Sequence, residues 1–210
     1  MIQKGNKKMS KKKPRFEFRT FARELGFIER RMRELSPVER IRESSEIYIM
    51  SAVNNKNNTK IRNDKMDIKV FVMEKDGLEQ WNPRMKGTFP MSAEQIQSEV
   101  FPAFGVKSPV FKRDAYTLDQ FLKQIIHPHK DLLPVFVQKR RFAFTINDCI
   151  AEVADVYING AKIRTANLES VDTKAILEGM KMVGLESYKN INYLMAIKKV
   201  TGLEQGVIPY

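Results

Sequence analysis

The run VFVQKRRFAFT, residues 135–145, narrows the possible architectures of this chain more than any other stretch. Successive side chains of a strand point to opposite faces. Lys139 and Arg141 therefore share one face, and Phe142, Phe144 and Ile146 share the other. The same parity pairs Lys60 with Arg62 and sets Lys69 opposite an apolar row of Met66, Ile68, Val70 and Val72. In RFEFRTF, Arg15, Glu17 and Arg19 take one side, Phe16 and Phe18 the other. Three separated strands thus repeat one design, with cations in front and bulky apolar groups behind. Faces of this kind can converge on a single polyanionic ligand.

The rest of the chain supplies further strands and helices. Leu25, Ile28, Met32 and Leu35 recur at spacings of three and four, which predicts an amphipathic helix, stopped at Ser36-Pro37. SSEIYIMSA, about 45–52, reads as a strand whose edge offers a route to a dimer, and TKIRNDKMDIKVFV as two strands joined at Asn63-Asp64. GLEQWNP, 77–83, adds a short strand ending at its proline. Residues 84–134 read as a helical insertion. Ser92 stands three residues before Gln95 and Thr117 three before Gln120, the spacing of a reciprocal helix cap. Turns at Asn147-Asp148 and Asn159-Gly160 then divide a three-stranded meander. Asp172 or Ser170 caps a helix ending near Val183 and Gly184, and Asn190 caps a last helix stopped by Gly202.

Charge must be apportioned before it is interpreted. Of the net +12, seven charges fall in residues 1–15, which contain no acid. The expectation is a basic leader over residues 1–14, able to touch nucleic acid weakly, and one domain over 15–210. No apolar run approaches the roughly 18 residues of a transmembrane helix, so no membrane association is expected. The single cysteine, Cys149, fits a reducing, cytoplasmic setting.

Several chemistries lack their motifs: there is no glycine-rich phosphate loop, no metal-spaced cysteine set and no nucleophile elbow. His127 and His129 flank Pro128 in a loop with no matched carboxylate, which suits solvation better than metal binding. Asp148 beside Cys149 disfavours a reactive thiolate. Trp81 reads as packing before ligand stacking. What remains is the cationic faces and the acids between them: Glu17, Asp67, Glu79, Glu152 and Glu169.

The plainer account makes those faces solvent-exposed, with the apolar backs resting on helices. About eight antiparallel strands, however, are enough to close a small barrel with one face inside. A lumen of four or five cations is unfavourable when empty: at about 5 Å and an effective dielectric near 20, each like-charge pair costs roughly 3 kcal/mol. A phosphate chain would relieve this, since Arg binds phosphate bidentately and Lys acts as a point charge.

At this point the residues resemble the CYTH, or triphosphate tunnel metalloenzyme, superfamily, from about residue 15 to 201. The resemblance rests on RFEFRTF, the KIR and DIK strands, LEQW, the KRR strand, AEVADVYINGAKIRTANLES and MVGLESYKNINYLMAIKK. It implies an α+β fold, an eight-stranded antiparallel tunnel with helices packed outside, that binds a triphosphate group. It further implies that Arg19, Lys60, Arg62, Lys69, Lys139 and Arg141 bind phosphate, and that Glu17, Glu152 and Glu169 hold Mg²⁺ or Mn²⁺ and position water for hydrolysis. One motif departs from the family's glutamate-x-glutamate-x-lysine: here those positions are Arg15, Glu17 and Arg19. Glu152 and Asp155 also fall on opposite faces of a straight strand, where the family pairs acids on one face. The ligands expected are a triphosphate-containing small molecule or inorganic polyphosphate. A non-catalytic sensor of such ligands and an RNA-binding module are the alternatives.

Overall fold

The computed structural model describes residues 14–204, so the leader expected over 1–14 lies, all but Pro14, outside the described residues. Eight strands close into a ring: β1 (Phe16–Ala22), β2 (Arg40–Met50), β3 (Asn57–Arg62), β4 (Lys65–Lys75), β5 (Leu78–Thr88), β8 (Leu133–Ile146), β9 (Cys149–Ile158) and β10 (Ala161–Ser170). Their spatial order is β1-β10-β9-β8-β2-β3-β4-β5, every pairing antiparallel, with β5 returning to β1. Short strands β6 (Met91–Ser92) and β7 (Ala115–Tyr116) form a separate ribbon. Turns Asn63-Asp64, Asn147-Asp148 and Asn159-Gly160 all take positive φ at both residues, the conformation that matches strand twist.

The alternation read from the sequence sends the cations inward and the apolar backs outward, under helices. Helix α1 (Gly26–Leu35) and helix α4 (Thr173–Val183) cover one side, where Ile28, Met32, Ile176 and Val183 pack on Phe18, Phe144, Val153 and Leu168. Each such fully buried side chain contributes about 1.5–3 kcal/mol. The approach of α4 is close: a Cβ at Gly179 would sit 2.6 Å from Leu168 Cδ2. Helical segments α2 (93–104) and α3 (118–126) cover the opposite side, over Ile49, Ile61, Met66, Ile68 and Met85. Ser92 and Thr117 cap them as their spacing predicts, Thr117 with the reciprocal Gln120 bond. No helix among the described residues is long and apolar enough to cross a membrane.

Helix α5 (Tyr193–Thr201) differs from the others by plugging one end of the barrel. Tyr193, Leu194 and Ile197 pack on the lumen positions Phe21, Tyr48, Val137, Val156 and Ile163. Its cap is Asn192, whose side chain accepts from Met195 N, and not Asn190 as the sequence suggests. Asn190 serves the seam instead. Strands β1 and β5 pair through only Phe16–Gln80 and Glu17–Glu79. Past that point Asn190 accepts from Arg19 N and donates to the carbonyls of Glu17 and Gly77, while Ile191 N donates to Arg19 O.

Two further expectations are corrected. Strand β5 does not end at Pro83 but runs on to Thr88; the register shift between Ile68 and Lys69 of β4 places Pro83 at a bulge, where a missing N–H is tolerated. Strand β2 begins at Arg40, not near residue 45, and pairs with β8 along its whole length but with β3 only at Ile47 and Tyr48.

Candidate functional site

The inward faces enclose a cavity of about 490 Å³. All six predicted cations line it: Arg19 from β1, Lys60 and Arg62 from β3, Lys69 from β4, Lys139 and Arg141 from β8. Glu17, Glu152 and Glu169 line it too, from β1, β9 and β10. Nine cationic side chains and five carboxylates line it, and the buried Glu46 behind four of those cations is a sixth acid, which leaves an excess of three positive charges. A larger hollow, about 670 Å³, lies against outer strand positions such as Ile47, Phe136 and Tyr157 and holds few of these charges.

The cations are strongest on the β3–β2–β8 side, and there the sequence reading missed their partner. Glu46, on β2, is fully buried and accepts from Lys139 Nζ at 2.7 Å and from Arg141 Nη2 at 3.0 Å. Arg62 and Lys60 stand 3.4 and 3.7 Å from the same carboxylate. Burial pushes the Glu46 pKa up, but Lys139, Lys60 and Arg141 hold it well below the usual carboxylate range. Burial drives Lys139 and Lys60 the other way, below the ordinary lysine value, with Glu46 opposing the shift. Lys139 also donates to Tyr48 Oη at 2.8 Å and rests 3.7 Å from the centroid of the Tyr193 ring. A parity signal for Glu46 existed, since it shares a face with Tyr48, but the polar run before it hid the start of β2.

The β5–β1–β10 side gathers acids. Glu17 is the cross-strand partner of both Glu169 and Glu79. Burial and the neighbouring Glu17 charge raise the Glu169 pKa, with Arg19, Lys69 and Arg15 pulling the other way. Glu17 is bonded to Arg19 Nε, and Glu169 lies 3.5 Å from Arg15. Glu79 accepts from Trp81 Nε1 at 2.9 Å and from Asn192 Nδ2 at 3.1 Å. Glu152 stands apart from that row, 3.9 Å from Arg141. Trp81 meets Phe71 edge-on and also lines the cavity. His129 is held by Lys107 O and Asp131 N, in a loop away from these acids. Cys149 is buried and its thiol pKa is raised, chiefly by that burial.

The donors near Glu17 and Glu169 are all oxygen, as Mg²⁺ and Mn²⁺ require. The Asn167 side chain donates to Glu169 at 3.3 Å, leaving its own amide oxygen buried without a hydrogen-bond partner. Among the described residues no three His, Cys, Asp or Glu converge to hold an ion unaided. A cation at this wall would draw one or two carboxylates from protein and its remaining ligands from phosphate and water.

No protein-family model matches the sequence, and neither does any curated protein. Solved structures do. An adenylyl cyclase candidate from Hippeastrum with a dominant triphosphatase activity aligns at 10% identity, with a TM-score of 0.50 over 89% of this chain and 96% of that one. An adenylate cyclase candidate from Bacillus halodurans aligns at 9% identity, with a TM-score of 0.50 over 86% and 95%. These likenesses show the fold, and the eight-stranded antiparallel barrel expected from the sequence is the one this chain has.

Proposed function

We propose that this protein binds the triphosphate or polyphosphate part of an anionic ligand inside the barrel, and hydrolyses it with the help of Mg²⁺ or Mn²⁺. One observation carries the binding: six cations spread from residue 19 to residue 141 meet in a single cavity with a surplus of positive charge. Arg62 and Arg141 suit bidentate contacts to phosphate oxygens, and Lys60, Lys69 and Lys139 act as point charges. The triphosphatase activity of the Hippeastrum protein, which shares the fold, supports the same ligand class. Inorganic tripolyphosphate is the simplest ligand of this kind.

For hydrolysis, Glu17 and Glu169 would hold the divalent cation, which supplies charge neutralisation across phosphate oxygens and an activated water. Glu152, facing the lumen beside Arg141, would orient the attacking water. Arg19, bonded to Glu17 and to Thr165, keeps the acid row in place. A second function, binding without turnover, is favoured by one specific feature: Arg19 and Arg15 already engage Glu17 and Glu169.

Calorimetric titration with tripolyphosphate, with and without Mg²⁺, together with phosphate release from a panel of triphosphates, tests both. Binding with release supports the hydrolase. Binding without release under either metal leaves the sensor. Absence of tripolyphosphate binding under both conditions sinks the proposal.

A further inference from the structure

Strand β2 lies between β3 and β8 in the ring, so an inward side chain from it reaches the cations of both neighbours. Glu46 does so. Its Oε2 takes Lys139 at 2.7 Å and Lys60 at 3.7 Å, and its Oε1 takes Arg141 at 3.0 Å and Arg62 at 3.4 Å. Its side chain is fully buried, whereas all four cations line the cavity. A lysine ammonium has three donors and a guanidinium five. Beyond Glu46, Lys139 gives a second donor to Tyr48 Oη and Arg141 gives one to Ser44 Oγ, and the donors still unused on the four cations are those the lumen can take.

We propose that Glu46 is a positioning residue that keeps Lys60, Arg62, Lys139 and Arg141 converged and charged, so that a phosphate chain meets a ready-made wall. The role rests on the phosphate-binding function proposed above. Without the carboxylate, four cations would face one another with nothing between them. The arginines cannot give up a proton, so the lysines must move or neutralise. Lys139 has no room to move, being 4% exposed and held between Tyr48 and Tyr193. The titratable and charged groups facing it are Glu46 and Tyr48 from β2, Lys60 from β3, Arg141 from β8 and Tyr193 from α5. Glu46 is the one acid among them that is ionised at neutral pH. Its loss leaves burial and the neighbouring cations unopposed at Lys139, which disfavours the charged ammonium further, and the wall loses its geometry as well.

The test compares wild type with Glu46→Gln and Glu46→Asp. Tripolyphosphate is titrated in two buffers of different ionisation enthalpy, which yields affinity and the protons exchanged on binding. Glu46→Gln is expected to bind about tenfold more weakly or worse and to take up an additional proton, because the bound anion recharges Lys139. Glu46→Asp keeps the charge at shorter reach and should bind with intermediate affinity and the wild-type proton count. A drop in thermal stability of Glu46→Gln with affinity and proton count unchanged overturns the role. If Glu46→Gln does not fold, Glu46→Asp decides: wild-type affinity in that variant overturns it, and weaker binding supports it. Failure of the wild type itself to bind tripolyphosphate removes the binding function, a result distinct from wild-type binding that Glu46 variants leave untouched.

Discussion

On the β3–β2–β8 wall of the lumen, four cations surround one buried carboxylate; on the β5–β1–β10 wall, Glu79, Glu17 and Glu169 form a cross-strand row with Arg19 bonded to Glu17, and Glu17 and Glu169 stay partly exposed. Both walls mix the same residue types, but burial ranks them differently. The deep carboxylate is held ionised by its partners, whereas the shallower Glu169 has its pKa raised by burial and by another carboxylate. One wall gathers its cations on a single carboxylate, and on the other the repulsion between Glu17 and Glu169 is opposed by Arg19, Lys69 and Arg15. Under the proposed function, the contrast assigns a phosphate chain to one wall and a metal ion to the other.

The largest way to break this contrast is Glu46→Ala, which strands four cations in a buried site. A loss of about 3–5 kcal/mol in unfolding free energy is expected, measured by urea denaturation; a loss well below 1 kcal/mol would mean that solvent already reaches the cluster. Next comes Arg141→Ala. Removing a charge-assisted phosphate contact should weaken tripolyphosphate binding by about 1.5–3 kcal/mol, roughly ten- to a hundredfold, with the calorimeter as judge.

Asn192→Ala probes the join between the plug and the acid wall, because this side chain both caps α5 and holds Glu79. The expected cost is about 1 kcal/mol, seen as a lower melting temperature. The smallest effect is Glu169→Gln. The folded pKa of Glu169 is raised, so its contribution to stability is full below the ordinary carboxylate pKa and is lost as pH rises through the folded value. At neutral pH the variant should therefore gain a few tenths of a kcal/mol and bind metal-free tripolyphosphate slightly better. Lower stability at neutral pH would show that Arg15 and Asn167 more than offset the repulsion.

Much of the lumen was legible because strand parity is a local property. Lys139 and Arg141, or Lys60 and Arg62, share a face whatever their strand pairs with, and the apolar residues between them require cover on the other side. Neighbour relations were harder to see. Nothing local says that β2 falls between β3 and β8, so Glu46 could not be matched to cations 14 to 95 residues away. Asn190 and Asn192 are equally good caps by composition; the short β1–β5 pairing decides between them by taking Asn190 for the seam. Pro83 looked like a strand end because its missing N–H is a local fact, whereas the bulge that accommodates it belongs to the β4–β5 pair.

The seam between β1 and β5 also bears on the order in which the chain can be assembled. The first strand finds its long partner in β10, about 150 positions later, and its other flank is finished only by residues 190–192. Until these are present, β1 lacks its backbone partners past the short pairing with β5. Pairings this distant in sequence make folding slow. A nascent chain halted before residue 190 would be an open, positively charged sheet, sticky toward any polyanion nearby.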